Sequence, residues 1–236
     1  MPALKRTILV TGASSGIGRA VARNLLHQGH HVIGVSRDIR KFSNTVENFA
    51  PLQLDLAQLA DLPSQLSGIT DRFPELDAAV FCAGIGRFGA LEQFSYRQIE
   101  MLMSVNFTGH AFLARALIPH LKSKPKSDLI FIGSEASLKG ARNGAIYCAS
   151  KFALRGFTQA LREECSKSRM RVSLINPGMV KTEFFQNLTF EPGDAQSNYI
   201  LPEDIAETVN YVLKSRPEIA IDEINLNPLH KVVKFK

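Results

Sequence analysis

The stretch that decides the fold is Thr7-Ile8-Leu9-Val10-Thr11-Gly12-Ala13-Ser14-Ser15-Gly16-Ile17-Gly18. Thr7 to Val10 is a short β-branched, apolar run that stops at Thr11-Gly12, the pattern of a strand buried on both faces. A helical stretch from Arg19 to Gln28 follows the glycines and is closed by Gly29, and a second apolar run covers His31 to Val35. Together these form a β–turn–α–β unit with the glycines where strand hands over to helix. Glycine there lets a backbone approach a pyrophosphate, and the helix N-terminus offers unpaired N–H donors with a partial positive charge. A ligand-free Gly-rich turn is the competing reading, and the flanking strand and helix weigh against it.

The end of the second strand bears on which dinucleotide is taken. A site for an unphosphorylated ribose usually places Asp or Glu there, to accept from the 2′-hydroxyl. This chain has Ser36-Arg37. Arg37 can pair with a 2′-phosphate and Ser36 can donate to it, so the pattern favours NADP(H) over NAD(H). Asp38 comes two positions late and reads as a helix cap.

The strand–helix alternation continues outward. Leu52 to Leu56 reads as a third strand with Asp55 at its carboxyl end, where it could accept from an adenine amino group or cap the polar helical stretch Ala57–Ser67. Asp77 to Cys82 reads as a fourth strand, closed by Ala83-Gly84-Ile85-Gly86, a second glycine turn against which a ligand can lie. A long helix from Ser95 to about Leu121 carries Asn106 near its middle, a residue explained there by solvent exposure or a local kink. Leu129–Ile132 and Val172–Asn176 read as strands five and six, ending at Gly133-Ser134 and Pro177-Gly178. Ile219–Leu226 is the last strand, followed by a short basic tail. The segment of about 183–200 holds Phe184, Phe185, Leu188 and Phe190 without a sustained period, and reads as a mobile, apolar-lined substrate loop. No internal repeat or linker interrupts the chain, so residues 1–236 are expected to form one domain.

Tyr147 and Lys151 lie four apart in the helix between strands five and six, which puts them on one face. An ammonium so placed favours the phenolate and is expected to pull the tyrosine below its ordinary pKa of about 10. Tyr-x-x-x-Lys alone arises by chance in many helices.

Thr11-Gly12-x-x-x-Gly16-Ile17-Gly18, Asp55, Ala83-Gly84, Asn106, Ser134, Tyr147-x-x-x-Lys151 and Pro177-Gly178 together, in this order and over nearly the whole chain, resemble the compact branch of the short-chain dehydrogenase/reductase family. The resemblance implies an α/β Rossmann-type fold, a doubly wound parallel sheet of seven strands in the order 3-2-1-4-5-6-7 between two helical layers. It implies an enzyme that reduces a carbonyl, or oxidises the matching secondary alcohol, with Tyr147 as acid or base. Lys151 would lower the tyrosine's pKa and hold the nicotinamide ribose, Ser134 would orient the substrate oxygen, and Asn106 would support a water-linked proton relay. The dinucleotide would lie along Gly12, Ser14, Ser15, Gly16, Ile17 and Gly18, Ser36 and Arg37, Asp55 and Leu56, Ala83 and Gly84, and Pro177, Gly178, Val180 and Thr182, besides Tyr147 and Lys151. Cys82 stands where the family usually has Asn, so the hydrogen bonds of that turn must be met otherwise. A rival reading keeps the nucleotide site without turnover, as a sensor or scaffold, although such proteins usually lose the tyrosine or lysine and this chain keeps both.

The composition narrows the classes further. Hydrophobic residues make up 45% and charged residues 21% of 236, enough for a folded core. The net charge of +6 is scattered and no aromatic–basic interleaving accompanies it, so a nucleic-acid partner is not expected. Three cysteines (Cys82, Cys148, Cys165) with no C-x-x-C indicate neither a disulfide framework nor a zinc site, and no metal is expected. The apolar run after Lys5-Arg6 ends at Val10, too short for a signal core or a membrane span, so a cytoplasmic protein is expected. The aromatic loop suggests an apolar small-molecule carbonyl or alcohol substrate. The apolar residues of Phe107–Leu121 and Phe152–Leu161 suggest, with the resemblance, a homodimer or homotetramer.

Overall fold

In the computed structural model, residues 5–41 and 47–236 are described. The first strand, β1 (Thr7–Thr11), lies at the centre of a seven-stranded parallel sheet and pairs with β2 (His31–Ser36) on one side and β4 (Leu76–Phe81) on the other. β3 (Phe49–Gln53) flanks β2, and β5 (Ser127–Ile132), β6 (Met170–Pro177) and β8 (Glu223–Leu226) continue beyond β4. The order is β3-β2-β1-β4-β5-β6-β8, the doubly wound arrangement expected. Its seventh strand is the eighth in the chain because a short strand, β7 (Phe190–Pro192), leaves the sheet and pairs antiparallel with β9 (Val233–Phe235).

Helices cover both faces. α1 (Gly16–His27) and α7 (Pro202–Lys214) pack on one, over Ile8, Val10, Val80 and Ile130. α5 (Gly109–Lys122) and α6 (Ala145–Glu164) pack on the other, over Leu9, Phe81, Leu129 and Phe131. Both sets of sheet residues are fully buried, which is why β1, β4 and β5 read as unbroken apolar runs instead of alternating. Phe81 and Phe131 stack at 4.3 Å, and Phe157 from α6 meets Phe131 and Phe107 edge-on at 5.9 and 5.7 Å. The apolar surplus read in these two helices is thus partly spent inside the core.

The structure starts the sheet's last strand at Glu223 instead of Ile219 and redraws three other elements. β3 runs three residues earlier than Leu52–Leu56, because an edge strand accommodates Pro51 and its register is set by Val32↔Phe49. Asp55 consequently stands beyond the strand end. The expected helix Ala57–Ser67 is instead two short ones, α2 (Leu62–Leu66) and α3 (Ile69–Arg72), parted by Gly68 at φ +71°. The long helix is α4 (Tyr96–Met103), a π-helical segment Ser104–Thr108, and α5, with Asn106 inside the π segment. The run Tyr96–Lys122 is long and apolar enough to cross a bilayer by length and composition. Here Leu113, Leu117 and Leu121 are fully buried against the sheet.

Candidate active site

The turn after β1 is shaped by contact rather than by flexibility. Gly12 has φ +67°, and a Cβ there would lie 3.0 Å from Ala83 Cα. One on Gly18 would lie 2.3 Å from the Gly12 carbonyl oxygen, so both positions are held to glycine by backbone. Ser15 stands at the N-cap of α1 in extended conformation and makes no side-chain capping bond, and the first turn holds no acid. Glu183, paired with Arg19 at 2.8 Å, turns its carboxylate to the Gly16 N–H, so the N-terminus behind the glycine turn already draws an anion, as the diphosphate of a dinucleotide would require.

The neighbouring turns are locked to this one. Thr11 Oγ1 accepts from the backbone N–H groups of Cys82 and Ala83, at 2.9 and 3.0 Å. These bonds tie the turn in which Cys82 replaces the usual Asn. The sequence places Thr11 in the glycine motif without a role of its own, because a threonine closing a strand carries no signal of a partner 71 residues away. At the end of β2, the buried Ser36 hydroxyl accepts from Asp38 N–H and donates to Asp38 C=O, both at 3.2 Å, so it is committed to its own turn. The Asp38 carboxylate pairs with Arg40 at 2.8 Å, and that bond holds it below the usual carboxylate range. Arg37 is exposed at this turn, as is Lys41. Asp55 accepts from Ala57 N–H at 3.0 Å within its own turn and caps no helix, since α2 begins at Leu62, and the Leu56 side chain is buried in the core.

Ser134, Tyr147 and Lys151 come together at the carboxyl edge of β4, β5 and β6. Asn176 Oδ1 accepts from Ser134 N–H at 3.3 Å, while Asn176 Nδ2 donates to Glu223 and Asn225, each at 3.0 Å. Asn176 therefore aims the serine from the neighbouring strand, a role the sequence did not disclose. A Cβ on Gly133 would lie 2.1 Å from Asn176 Oδ1, which is what the glycine before Ser134 is for. Lys151 Nζ donates to the Ile132 carbonyl at 3.1 Å and lies 6.0 Å from the Tyr147 ring centroid. Fully buried Asn106 accepts from Ile85 N–H at 2.8 Å, and donates to Ile85 C=O at 3.0 Å and to Ser150 Oγ at 3.1 Å. The π segment is what turns this side chain inward, which settles the kink against the exposed alternative. A Cβ on Gly84 would lie 3.5 Å from Asn106 Oδ1 and 3.8 Å from Lys151 Nζ, so this glycine borders both. Val180 is buried and bridges Ile200, and Thr182 Oγ1 accepts from Phe184 N–H at 3.2 Å at the start of the loop.

The electrostatics reverse one expectation. Burial pushes the Tyr147 phenol up to about 12, with a hydrogen bond from the Ser134 side chain pulling the other way. Burial also draws the Lys151 ammonium down to about 8. Burial is the largest cause of both shifts, so the phenol is not lowered as the spacing suggested. The pair leaves a firmly protonated phenol beside an amine that titrates close to neutrality.

Over Tyr147 sits an aromatic cage. Phe88 lies 5.0 Å and Phe184 6.0 Å from its ring, and Phe190 and Phe185 close the set behind them. The segment 183–200 is pinned rather than free, which corrects the reading of the last residues as a mere basic tail. β9 pairs with β7, Gly193 N–H donates to Val232, and Lys236 N–H donates to Thr189 at 2.9 Å. Lys231 pairs with Glu135, next to Ser134, at 2.5 Å.

The parallel sheet, its glycine turn and the Ser–Tyr–Lys convergence define a nucleotide-dependent oxidoreductase. Residues 6–192 match the family model described as short chain dehydrogenase, and the chain belongs to that family. It is 31% identical to the "NADP-dependent 3-hydroxy acid dehydrogenase" of Schizosaccharomyces pombe, over 96% of this chain and 93% of that one. Among solved structures, it resembles the alcohol dehydrogenase of the archaeon Thermococcus sibiricus complexed with 5-hydroxy-NADP, with a TM-score of 0.86, 25% identity and coverage of 97% and 99%. It also resembles a metagenomic short-chain oxidoreductase in complex with NADP, with a TM-score of 0.80, 28% identity and coverage of 98% and 100%.

Proposed function

We propose that the protein is an NADP(H)-dependent reductase of a carbonyl compound, able to oxidise the matching secondary alcohol, with Tyr147 as the proton donor. The observation that carries this reading is the meeting of Ser134, Tyr147 and Lys151 at the sheet edge beside the glycine turn at α1. The 5-hydroxy-NADP and NADP bound by the two neighbouring structures and the NADP dependence of the fission-yeast relative support the cofactor. Its diphosphate would lie on Gly12 and Gly16–Gly18, its 2′-phosphate against Arg37, and its nicotinamide side toward Gly84, Lys151 and Thr182. Bound there, the dinucleotide supplies or accepts the hydride. The chain's own residues do the rest. Ser134 orients the substrate oxygen, Tyr147 Oη holds the proton that this oxygen takes, Lys151 supplies positive charge beneath it, and the phenylalanine cage excludes water.

The primary test is NADPH oxidation followed by absorbance across a panel of ketones and aldehydes. NADPH binding without turnover on any member would instead support a nucleotide sensor. Two further results follow from the geometry. Arg37→Asp weakens NADPH about tenfold and relieves the bias against NADH, since it replaces a charge-assisted bond to a phosphate by a repulsion at an exposed site. The ratio of kcat/KM values for the two cofactors measures this, and an unchanged ratio would remove Arg37 from the site.

The pH dependence of reduction has a definite sign. kcat/KM reports groups in the free enzyme. Tyr147, raised to about 12, stays protonated throughout the working range, while Lys151, lowered to about 8, loses its charge as pH rises through that value. Reduction is therefore flat below about pH 7 and declines above about pH 8, with the descending limb belonging to Lys151. A profile still flat at pH 10 would contradict the assignment.

A further inference from the structure

Beyond the phenylalanine cage, a second cleft of about 570 Å³ opens between the turn after β4, the start of α4 and the substrate loop. Ile85, Phe88 and Leu102 line it, and the same three belong to the apolar cluster that holds Tyr147. The cleft is thus the outward continuation of the reactive pocket, and its volume falls in the range of small-molecule sites.

Its charged lining is of one sign. Arg87 and Arg97 face into it, and neither Asp nor Glu does. Four other basic side chains around the loop have acidic partners: Arg19 pairs with Glu183, Lys231 with Glu135, Lys234 with Asp194 and Lys236 with Glu191, while Lys181 lies over the Tyr199 ring at 4.3 Å. Arg87 and Arg97 make no ion pair and no side-chain hydrogen bond among the described residues. Two guanidinium groups without counterions among the described residues line this cleft together with Phe88, Leu102 and Leu188, and so present charge beside apolar surface. Guanidinium forks match carboxylate and phosphate geometry, and a partly desolvated cleft strengthens such a pair.

We propose that this cleft is an anion subsite, and that the compound reduced at Tyr147 carries a carboxylate or phosphate at the end remote from its carbonyl, joined by an apolar middle. The proposal rests on the reductase reading above. It replaces a simply apolar substrate with an amphiphilic one, and it makes Arg87 and Arg97 the residues that select it.

The test compares matched pairs of ketones at saturating NADPH. The probes are oxohexanoate, oxooctanoate and oxodecanoate, each with its ketone next to the terminal methyl group, and the methyl ester of each. Phosphate monoesters of the corresponding keto alcohols form a second arm. At the length that spans the cleft, the acid is expected to exceed its ester by about tenfold in kcat/KM, carried by KM. The arm with the larger ratio identifies the anion. In the double variant Arg87→Gln/Arg97→Gln the acid-to-ester ratio falls to about one, and in Arg87→Lys/Arg97→Lys part of it survives. Because a ratio is read, general damage to the protein, which lowers both rates alike, does not imitate the result. Esters turned over with no preference for either anion at any length would overturn the subsite alone, as would a preference that persists in the double glutamine variant. Turnover of none of the compounds by protein that binds NADPH would overturn the reductase reading and the subsite with it.

Discussion

Tyr147→Phe lowers kcat for ketone reduction by about a thousandfold and leaves NADPH affinity within a few-fold of the parent. The size follows from what is removed. A positioned general acid contributes about 10²–10⁴ in rate, and the phenol is the one group in the cage that can deliver a proton to a carbonyl oxygen held by Ser134. The ring itself stays, so its contacts with Phe88 and Phe184 and the packing of the cage are kept. Burial already disfavours the phenolate, so no folded-state charge is lost. Single-turnover reduction under stopped flow measures the chemical step, and quenching on titration with NADPH measures the binding. A variant within about threefold of the parent in the chemical step would show that the proton comes from elsewhere and would end the assignment of Tyr147.

The opening strand and turn were legible because their reasons are local. A β-branched run buried on both faces cannot alternate, and glycines meeting backbone at 2.3 and 3.0 Å have no substitute. Tyr147, Lys151 and Ser134 were legible as members of an ordered series, which is why their meeting could be expected without any distance. What the sequence could not carry is whatever depends on a partner far along the chain. Thr11 holding the turn at Cys82, Asn176 aiming Ser134, and β9 returning to pin β7 are all such relations. β3 was misplaced for a different reason. Leu52, Leu54 and Leu56 alternate as a strand would, but Leu54 and Leu56 are buried past the strand's end, and the edge strand runs through Pro51.

The electrostatic reading failed at the magnitude rather than the geometry. A lysine one turn from a tyrosine does lie 6.0 Å from the ring centre, yet the largest cause of both shifts is the cost of taking the groups out of water. Spacing along a helix gives direction and proximity; it does not give burial, and burial decides here.

Asp128→Ala destabilises the protein by about 3–5 kcal/mol while leaving kcat unchanged in the folded fraction. Asp128 is fully buried on β5, at the amino edge of the sheet and so opposite the reactive edge. Its carboxylate accepts from Arg6 Nη1 at 2.6 Å and from Arg171 Nε at 2.7 Å. Arg6 continues to Asp77 at 3.0 Å, and Arg171 Nη1 donates to Ser215 Oγ at 2.7 Å and to carbonyls just past α7. One aspartate thus ties β1, β5, β6 and the end of α7. Removing it leaves two guanidinium groups buried and facing each other with only Asp77, already pushed up to about 6 by its own burial, as counterion. For a chain of this length the loss corresponds to about 10 °C in Tm. The triple replacement Arg6→Met/Asp128→Leu/Arg171→Met costs less than the single change, because it removes both guanidinium groups with their shared carboxylate and leaves only Asp77, whose carboxyl is already raised to about 6 and can take up a proton. Chemical denaturation of the parent and both variants checks the ordering. A single-variant loss below about 1 kcal/mol, or a triple variant weaker than the single, would show that solvent reaches this cluster and screens it as it does a surface pair.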